Sequence, residues 1–415
     1  MTSYSVCIIG AGPAGMMSAI QCAETGENQR ILLIEKNKTL GKKLLLTGGG
    51  RCNLTNSAPL SKHLKKFQNP NFIKPSLKNF PPQKLLDFFI QEGVEFEEEA
   101  SGRYIPETED AHTILNVLEE KIKKLNITLL TNTKVKKIEK TGPLFKVYTN
   151  NKILKSENII LALGGKTYPQ TGSKGDGYKL SQQLGHNITP LKPGLIPLKT
   201  QENWVKELNG MKLNDIKLTY KTEDSVIEKS GDLLFTHFGF SGPPLLDISQ
   251  YIIHESDNEM LIDLLPRQNS EELRLKLTND FQEHGKTMIK NYLKYYLTNR
   301  FIEPFLNKCE IDKDKQLNQI NKKEKNRLIN NLKQFPINVT GHLPFKMGMV
   351  TCGGVDLNEV NPKTMESRIT EGLYFAGEIL DLSADSGGYN LQMAFSTAVL
   401  AGQTIAQKKI GKKII

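Results

Sequence analysis

Cysteine is scarce and scattered in this 415-residue chain. The five, Cys7, Cys22, Cys52, Cys309 and Cys352, form no C-x-x-C pair and have no histidine at ligand spacing, which argues against a disulfide framework and against a zinc or other metal site. Long apolar runs are missing too. None approaches the roughly 18 residues that a membrane span needs, and the apolar start at residues 6–9 is broken by glycines before it could act as a signal peptide. A cytoplasmic protein with no membrane association is expected. No internal repeat is visible. Acidic residues are absent between 61 and 84, where six lysines fall, and Lys408, Lys409, Lys412 and Lys413 add charge at the tail. The net charge of +10 permits an anionic partner such as nucleic acid, although a solvated lysine-rich surface gives the same pattern. The chain is too long for one hydrophobic core, so two domains, or one domain with a large insertion, are expected.

What is present begins with a short apolar strand at residues 5–9, followed at once by GAGPAG and a helical run to residue 25. This is G-x-G-x-x-G between a strand and a helix, the context in which the pattern binds a dinucleotide. Gly10 permits the tight turn, and Gly12, with Pro13 and Ala14 beside it, lets the backbone approach a pyrophosphate. Gly15 lets helix and strand pack closely, while the helix start offers free N–H groups to phosphate. A second apolar strand, 31–34, ends in Glu35 and Lys36. Glu35 stands twenty residues past Gly15, where a carboxylate accepts hydrogen bonds from a ribose diol.

Three later features argue for a flavin rather than a nicotinamide. GKKLLLTGGGRCNLTN, residues 41–56, sets Gly48, Gly49 and Gly50 between Lys42, Lys43 and Arg51, combining close backbone approach with positive charge. IILALGG, residues 159–165, is an apolar strand ending in paired glycines, Gly164 and Gly165, as expected where a returning strand passes a cofactor. GLYFAGE, residues 372–378, is a strand closing on Gly377 and Glu378. It is followed by Gly387, Gly388, Tyr389, Asn390 and an apolar helix over 391–401, whose dipole could stabilise charge on a reduced isoalloxazine. No second G-x-G-x-x-G follows a strand downstream, so NAD(P)H is expected to visit transiently rather than occupy a domain of its own.

Together with GGKTYPQTGSKGDGY, LLFTHFGFSGP, VTCGGV, NPKTMESR and GGYNLQMAFSTAVLAG, these segments resemble the YhiN/BaiN-type flavoproteins, NAD(P)/FAD-dependent oxidoreductases, over almost the full chain. The resemblance implies an α/β fold: a discontinuous Rossmann-like FAD-binding domain with an inserted β-barrel-like and helical domain. By position it implies that Gly10, Gly12, Pro13, Ala14 and Gly15 hold the pyrophosphate and Glu35 the adenosine ribose. Val135 would meet the adenine through its backbone, Thr47 to Asn53 would run along the ribityl and flavin, and Gly377, Glu378, Tyr389 and Asn390 would complete the site. This chain departs from the pattern at residues 383–386 and 393–395, where a glycine-containing turn and tryptophans would be expected.

The proline cluster Pro190, Pro193 and Pro197 marks a boundary. The expected organisation is therefore a first FAD segment 1–190, an inserted substrate domain 191–340 and a second FAD segment 341–415. Two side chains are candidates for proton transfer. His237 stands in a glycine-rich loop with an aromatic pair, and imidazole is the side-chain group suited to proton transfer near neutral pH. Cys52 follows Arg51, whose charge would favour a thiolate. Arg103 and Tyr168 are weaker candidates for binding substrate. The expected function is a reductase of an activated carbon–carbon double bond driven by NAD(P)H. The resemblance implies dihydrouridine formation in large-subunit ribosomal RNA as one option, with Phe238 or Phe240 walling the pocket for an exposed base. Other readings stay open: a small-molecule flavoenzyme, either an amine oxidase releasing peroxide or a steroid-like enone reductase, or an RNA-binding assembly protein with structural FAD.

Overall fold

The structure, a computed structural model, describes residues 3–26, 29–222, 225–252 and 258–413, with side chains to 408. The chain divides into two compact units, Met1–Gly194 with Phe345–Ile415, and Leu195–Pro344. No helix among the described residues is long and apolar enough to cross a membrane.

Continuous apolar runs build the first unit. Ser3–Ile9, Ile31–Ile34 and Ile153–Leu161 carry unbroken stretches of buried Val, Ile and Leu, the mark of strands covered on both faces. Five strands run parallel in the order Thr128–Leu130, Ile31–Ile34, Ser3–Ile9, Ile153–Leu161 and Leu373–Phe375. The start of Ile153–Leu161 also pairs antiparallel with Leu144–Thr149, which pairs with Val135–Thr141. Leu373 registers with Ile159, so the two ends of the chain share one sheet. This is the discontinuous Rossmann-like architecture that the sequence implies.

Two helices join the ends again. Pro13–Thr25 starts on Pro13, whose fixed φ suits the first helical position. It packs against Tyr389–Lys413, where Ser18 Oγ donates to the Ala398 carbonyl at 3.3 Å. A Cβ on Gly402 would stand 2.9 Å from the Ser18 carbonyl oxygen, so glycine sets that close crossing. The last helix exceeds the expected 391–401 at both ends. Gly388, at φ +96°, ends the preceding turn, and beyond residue 401 burial of Ile405 and Ala406 extends the apolar stripe past the polar Gln403 and Thr404.

The second unit is a closed six-stranded antiparallel barrel: Leu198–Thr200, Gly239–Ser241, Val226–Thr236, Lys212–Lys221, Asn258–Asp263 and Phe335–His342. Its inward side chains alternate along Lys212–Lys221, the period-2 pattern of a half-buried strand. Helices Ser270–Glu283 and Lys322–Lys333 each begin with a capping box, Asn269 with Glu272 and Asn321 with Glu324. Phe301, Phe305 and Phe335 are fully buried and in mutual ring contact.

Candidate functional site

An elongated cavity in the first unit opens where the parallel strands end, lined by Gly10 to Ala14, Glu35 to Asn37, Ala162 to Gly164 and Ala376. This is the crevice in which open α/β sheets bind ligands. Two of the fingerprint glycines answer to the fold itself. Gly10 lies at φ +101°, with Ala162 O 2.6 Å from where a Cβ would be, and a Cβ on Gly15 would stand 1.7 Å from Gly10 O. Gly12 differs. Its φ of −80° and ψ of −176° suit any residue, and no protein atom lies within 4 Å of its Cβ position. The space before it is the cavity, at a helix start that no side chain caps. Neither backbone conformation nor packing requires glycine there, whereas close approach of a pyrophosphate to the backbone does.

At one end of the cavity Glu35 is fixed through both oxygens. Oε2 accepts the Ala11 N–H at 2.9 Å, and Oε1 accepts the backbone and side-chain N–H groups of Asn37 at 2.9 and 2.8 Å. Remaining lone pairs can take ribose hydroxyls. Lys36 and Lys134 both pair with Asp176, at 2.5 and 3.4 Å. Burial works against the Asp176 charge, but the Lys36 hydrogen bond and both ammonium charges hold the carboxyl below its usual range. Val135 lines the same end.

Further along the wall lie Lys42, Lys43, Thr47, Glu378 and Asn390. Lys43 Nζ reaches Glu378 Oε2 at 2.6 Å and Oε1 at 2.9 Å, and donates to Thr167 Oγ1 at 2.9 Å. The Thr351 N–H completes the clamp on Glu378 at 2.8 Å. Asn390 faces the cavity, and its amide also accepts from the Ala384 N–H and donates to the Ala384 carbonyl, holding the divergent turn before it. Sequence reasoning assigned no binding role to Lys43, Asp176, Met349 or Val350. Lys43 was visible only as charge beside a glycine loop.

Other expected site residues do not line this cavity. Gly48, Gly49 and Gly50 lie at φ +60°, +70° and +98°, so their glycines serve a left-handed backbone run following Thr47. Gly377 packs on Ala14, and a Cβ on Gly388 would meet Thr55 O at 2.4 Å. Tyr389 is buried edge-on against His63. These three brace the site rather than face the cavity. Asn53 Oδ1 is buried with no protein partner, an acceptor available to a ligand. Arg51 is engaged by Glu99 at 2.9 Å and Glu109 at 3.7 Å, and Arg103 by Glu99 at 2.7 Å. Tyr168 sits half-buried at φ +51°, its ring 5.9 Å from Lys43 Nζ.

The two proton-transfer candidates differ in their surroundings. Cys52 is fully buried, and burial pushes its thiol up to about 12, against a smaller opposing effect of the Thr47 hydrogen bond. Arg51 is adjacent in sequence but is held by carboxylates, so no thiolate is favoured at Cys52. Because the side chain is fully buried and does not line the cavity, Cys52→Ala is expected to leave substrate-dependent flavin reoxidation unchanged. Removing a general acid costs about 10²–10⁴ in rate, and a loss of that size in stopped-flow traces would return Cys52 to the reaction. His237 is exposed on the barrel unit, edge-on to Phe238 at 4.8 Å. Phe240 is fully buried in the barrel core, so it cannot wall a substrate pocket.

The basic stretch is largely solvent-facing. Lys62, Lys65, Lys74, Lys78 and Lys84 are exposed, while Lys66 pairs with Asp385 at 3.2 Å. Lys74 and Lys78 stand one turn apart on helix Pro70–Asn79. At the tail Lys408 pairs with Glu366, and the side chains of Lys409, Lys412 and Lys413 lie outside the described residues.

Residues 4–404 match the model of the HI0933-like protein Rossmann domain family. The chain belongs to that family. It is an FAD-dependent oxidoreductase of the YhiN/BaiN type. Among curated relatives, it is 32% identical over 414 residues to the ribosomal RNA dihydrouridine synthase of Escherichia coli K12, covering 99% of this chain and 100% of the relative. It is 29% identical over 405 residues to the 3-dehydro-bile acid delta(4,6)-reductase of Clostridium scindens, covering 97% and 98%. Among solved structures, 3-ketosteroid delta1-dehydrogenase from Sterolibacterium denitrificans superposes with a TM-score of 0.53 at 11% identity, covering 98% of this chain and all of that one. At that identity the likeness is one of fold.

Proposed function

We propose that this HI0933-like family member uses NAD(P)H to reduce a carbon–carbon double bond conjugated to a carbonyl, and that the bond is that of a uridine in large-subunit ribosomal RNA. The relatives' names support the reduction of such a bond, on a pyrimidine or on a steroid ring. The observation that favours RNA is the exposed lysine-rich stretch 61–84. Among the described residues, none of Lys62, Lys65, Lys74, Lys78 and Lys84 has a carboxylate partner, and only Lys84 is otherwise engaged, by the Asn79 carbonyl at 3.0 Å, so the stretch keeps its positive charge for phosphates.

Bound FAD would supply the hydride. The chain's own residues bind and orient. Backbone N–H groups at the start of Pro13–Thr25 would hold the pyrophosphate, Glu35 would accept from the ribose, and Lys43 would offset the Glu378 charge beside a dianionic ligand. The steroid-type substrate is the second reading, supported by a relative of nearly equal identity.

Mass spectrometry of nucleosides from ribosomal RNA tests the proposal. Cells lacking the protein should lose a dihydrouridine that the wild-type gene restores, and an unchanged dihydrouridine content would refute the RNA assignment. In the purified protein, Lys74→Glu with Lys78→Glu should weaken binding of a ribosomal RNA fragment by about tenfold or more and flatten its salt dependence, with flavin content unchanged. Equal binding would remove this stretch from recognition.

A further inference from the structure

A second cavity, of about 450 Å³, lies in the helical part of the barrel unit. One wall is the face of helix Ser270–Glu283 that carries Lys276 and Asp280, one turn apart. The other is Tyr292, Tyr295 and Tyr296. Tyr292 is buried and its hydroxyl donates to Asp280 and meets the Tyr296 hydroxyl at 3.1 Å, so this pair forms the floor. Tyr295 is different: 84% of it is exposed, with its ring centroid 6.2 Å from that of Tyr292. So exposed a ring adds little to the unit's own packing.

The charge around it has one sign to spare. Lys276, Lys286 and Lys294 are exposed with no carboxylate partner among the described residues: Lys276 lines the cavity, Lys286 directly precedes the lining Thr287, and Lys294 directly precedes Tyr295, whereas Lys290 is paired with Asp314. Across 270–333 there are 14 Lys and Arg against 9 Asp and Glu, a difference of +5. A tyrosine cage with a carboxylate would ordinarily suit an alkylammonium ion. Here the carboxylate is engaged by the Tyr292 hydroxyl, and the Lys276 ammonium already lies 5.1 Å from the Tyr296 ring centroid. An open ring face bordered by free ammonium groups fits instead an unstacked base with its flanking phosphates.

We propose that this face of the barrel unit is a second RNA-contacting surface, on which a single-stranded base stacks against Tyr295 while Lys276, Lys286 and Lys294 meet phosphates. The proposal rests on the RNA reading of the flavin site, from which it is separately testable. The probe is a short single-stranded oligouridylate titrated into full-length, FAD-loaded protein. Tyr295→Ala should weaken binding about tenfold, the scale of one lost stacking contact. Tyr295→Phe, which keeps the ring, should bind as wild type, and Lys276→Ala with Lys294→Ala should lower the salt dependence. FAD content and bleaching by NADPH should not change in any variant. Wild-type affinity in Tyr295→Ala, or equal competition by polyglutamate at matched ionic strength, would overturn the proposal. If dihydrouridine disappears from deletion cells while Tyr295→Ala binds normally, only this surface fails. If dihydrouridine persists while Tyr295 variants lose oligouridylate, only the reading of the flavin site fails.

Discussion

Gly12→Val should purify folded but colourless. The backbone at Gly12 is extended, which valine adopts readily, and the new Cβ meets no protein atom within 4 Å. Stability of the apoprotein is therefore expected to match wild type. The methyls instead project into the cavity before the first helix, where the pyrophosphate would approach the backbone. Flavin content should fall below about a tenth of wild type, since no rearrangement of one loop can restore that approach. Gly15→Val is the contrasting control. Its Cβ would overlap the Gly10 carbonyl, so that variant should lose stability as well as flavin. Absorbance of the purified proteins, read beside their thermal melts, separates the two. A yellow, stoichiometric Gly12→Val would refute the pyrophosphate assignment.

Lys43→Met should weaken FAD binding by a different route. Lys43 and Glu378 are each about one-fifth exposed, so their pairing is only partly screened by water. Removing the ammonium leaves the Glu378 carboxylate with the Thr351 N–H and no cation, in the wall of a cavity that must accept a diphosphate. What changes between free and FAD-loaded protein is the repulsion of an uncompensated carboxylate on a dianionic ligand, on the order of 1–2 kcal/mol at an effective dielectric of about 20. A loss of roughly tenfold to thirtyfold in affinity is expected. Lys43→Met with Glu378→Gln removes both charges and should recover most of the loss. Titration of apoprotein with FAD, followed by quenching of flavin fluorescence, measures each constant. A double variant no better than Lys43→Met would show that the two side chains act separately.

How much of this was legible in the chain follows from how local each feature is. The fingerprint, the strand before it and Glu35 lie within one β-α-β stretch, so spacing alone places them on the cavity. The shared sheet of the two chain ends was legible from the motif at 372–390. The Lys43–Glu378 clamp was not, because its partners stand 335 positions apart and only the closed sheet brings them together. Asp176 lay hidden in a loop motif for the same reason. At Cys52, sequence adjacency misled: in a left-handed turn, successive side chains point apart, and Arg51 faces Glu99 while the thiol faces the core. The glycine triplet showed a real constraint, but the constraint is backbone conformation. YLKYY, residues 292–296, carries no motif that would set it apart from polar helix. The structure breaks it after Tyr292 into a short 3₁₀ turn, and that break leaves Tyr295 in solvent.

In the proposed function the flavin accepts electrons from a nicotinamide and passes them to a base in RNA. The most direct measurement is an anaerobic half-reaction with the purified, FAD-loaded protein. Reduce the flavin with NAD(P)H, remove the excess, add large-subunit ribosomal RNA from deletion cells, and follow absorbance and nucleoside mass together. The expected result is that the yellow colour bleaches, returns on adding RNA, and is matched by a uridine heavier by one hydride and one proton. Flavin that stays reduced in the presence of that RNA, and turns yellow only on admitting air, would contradict it.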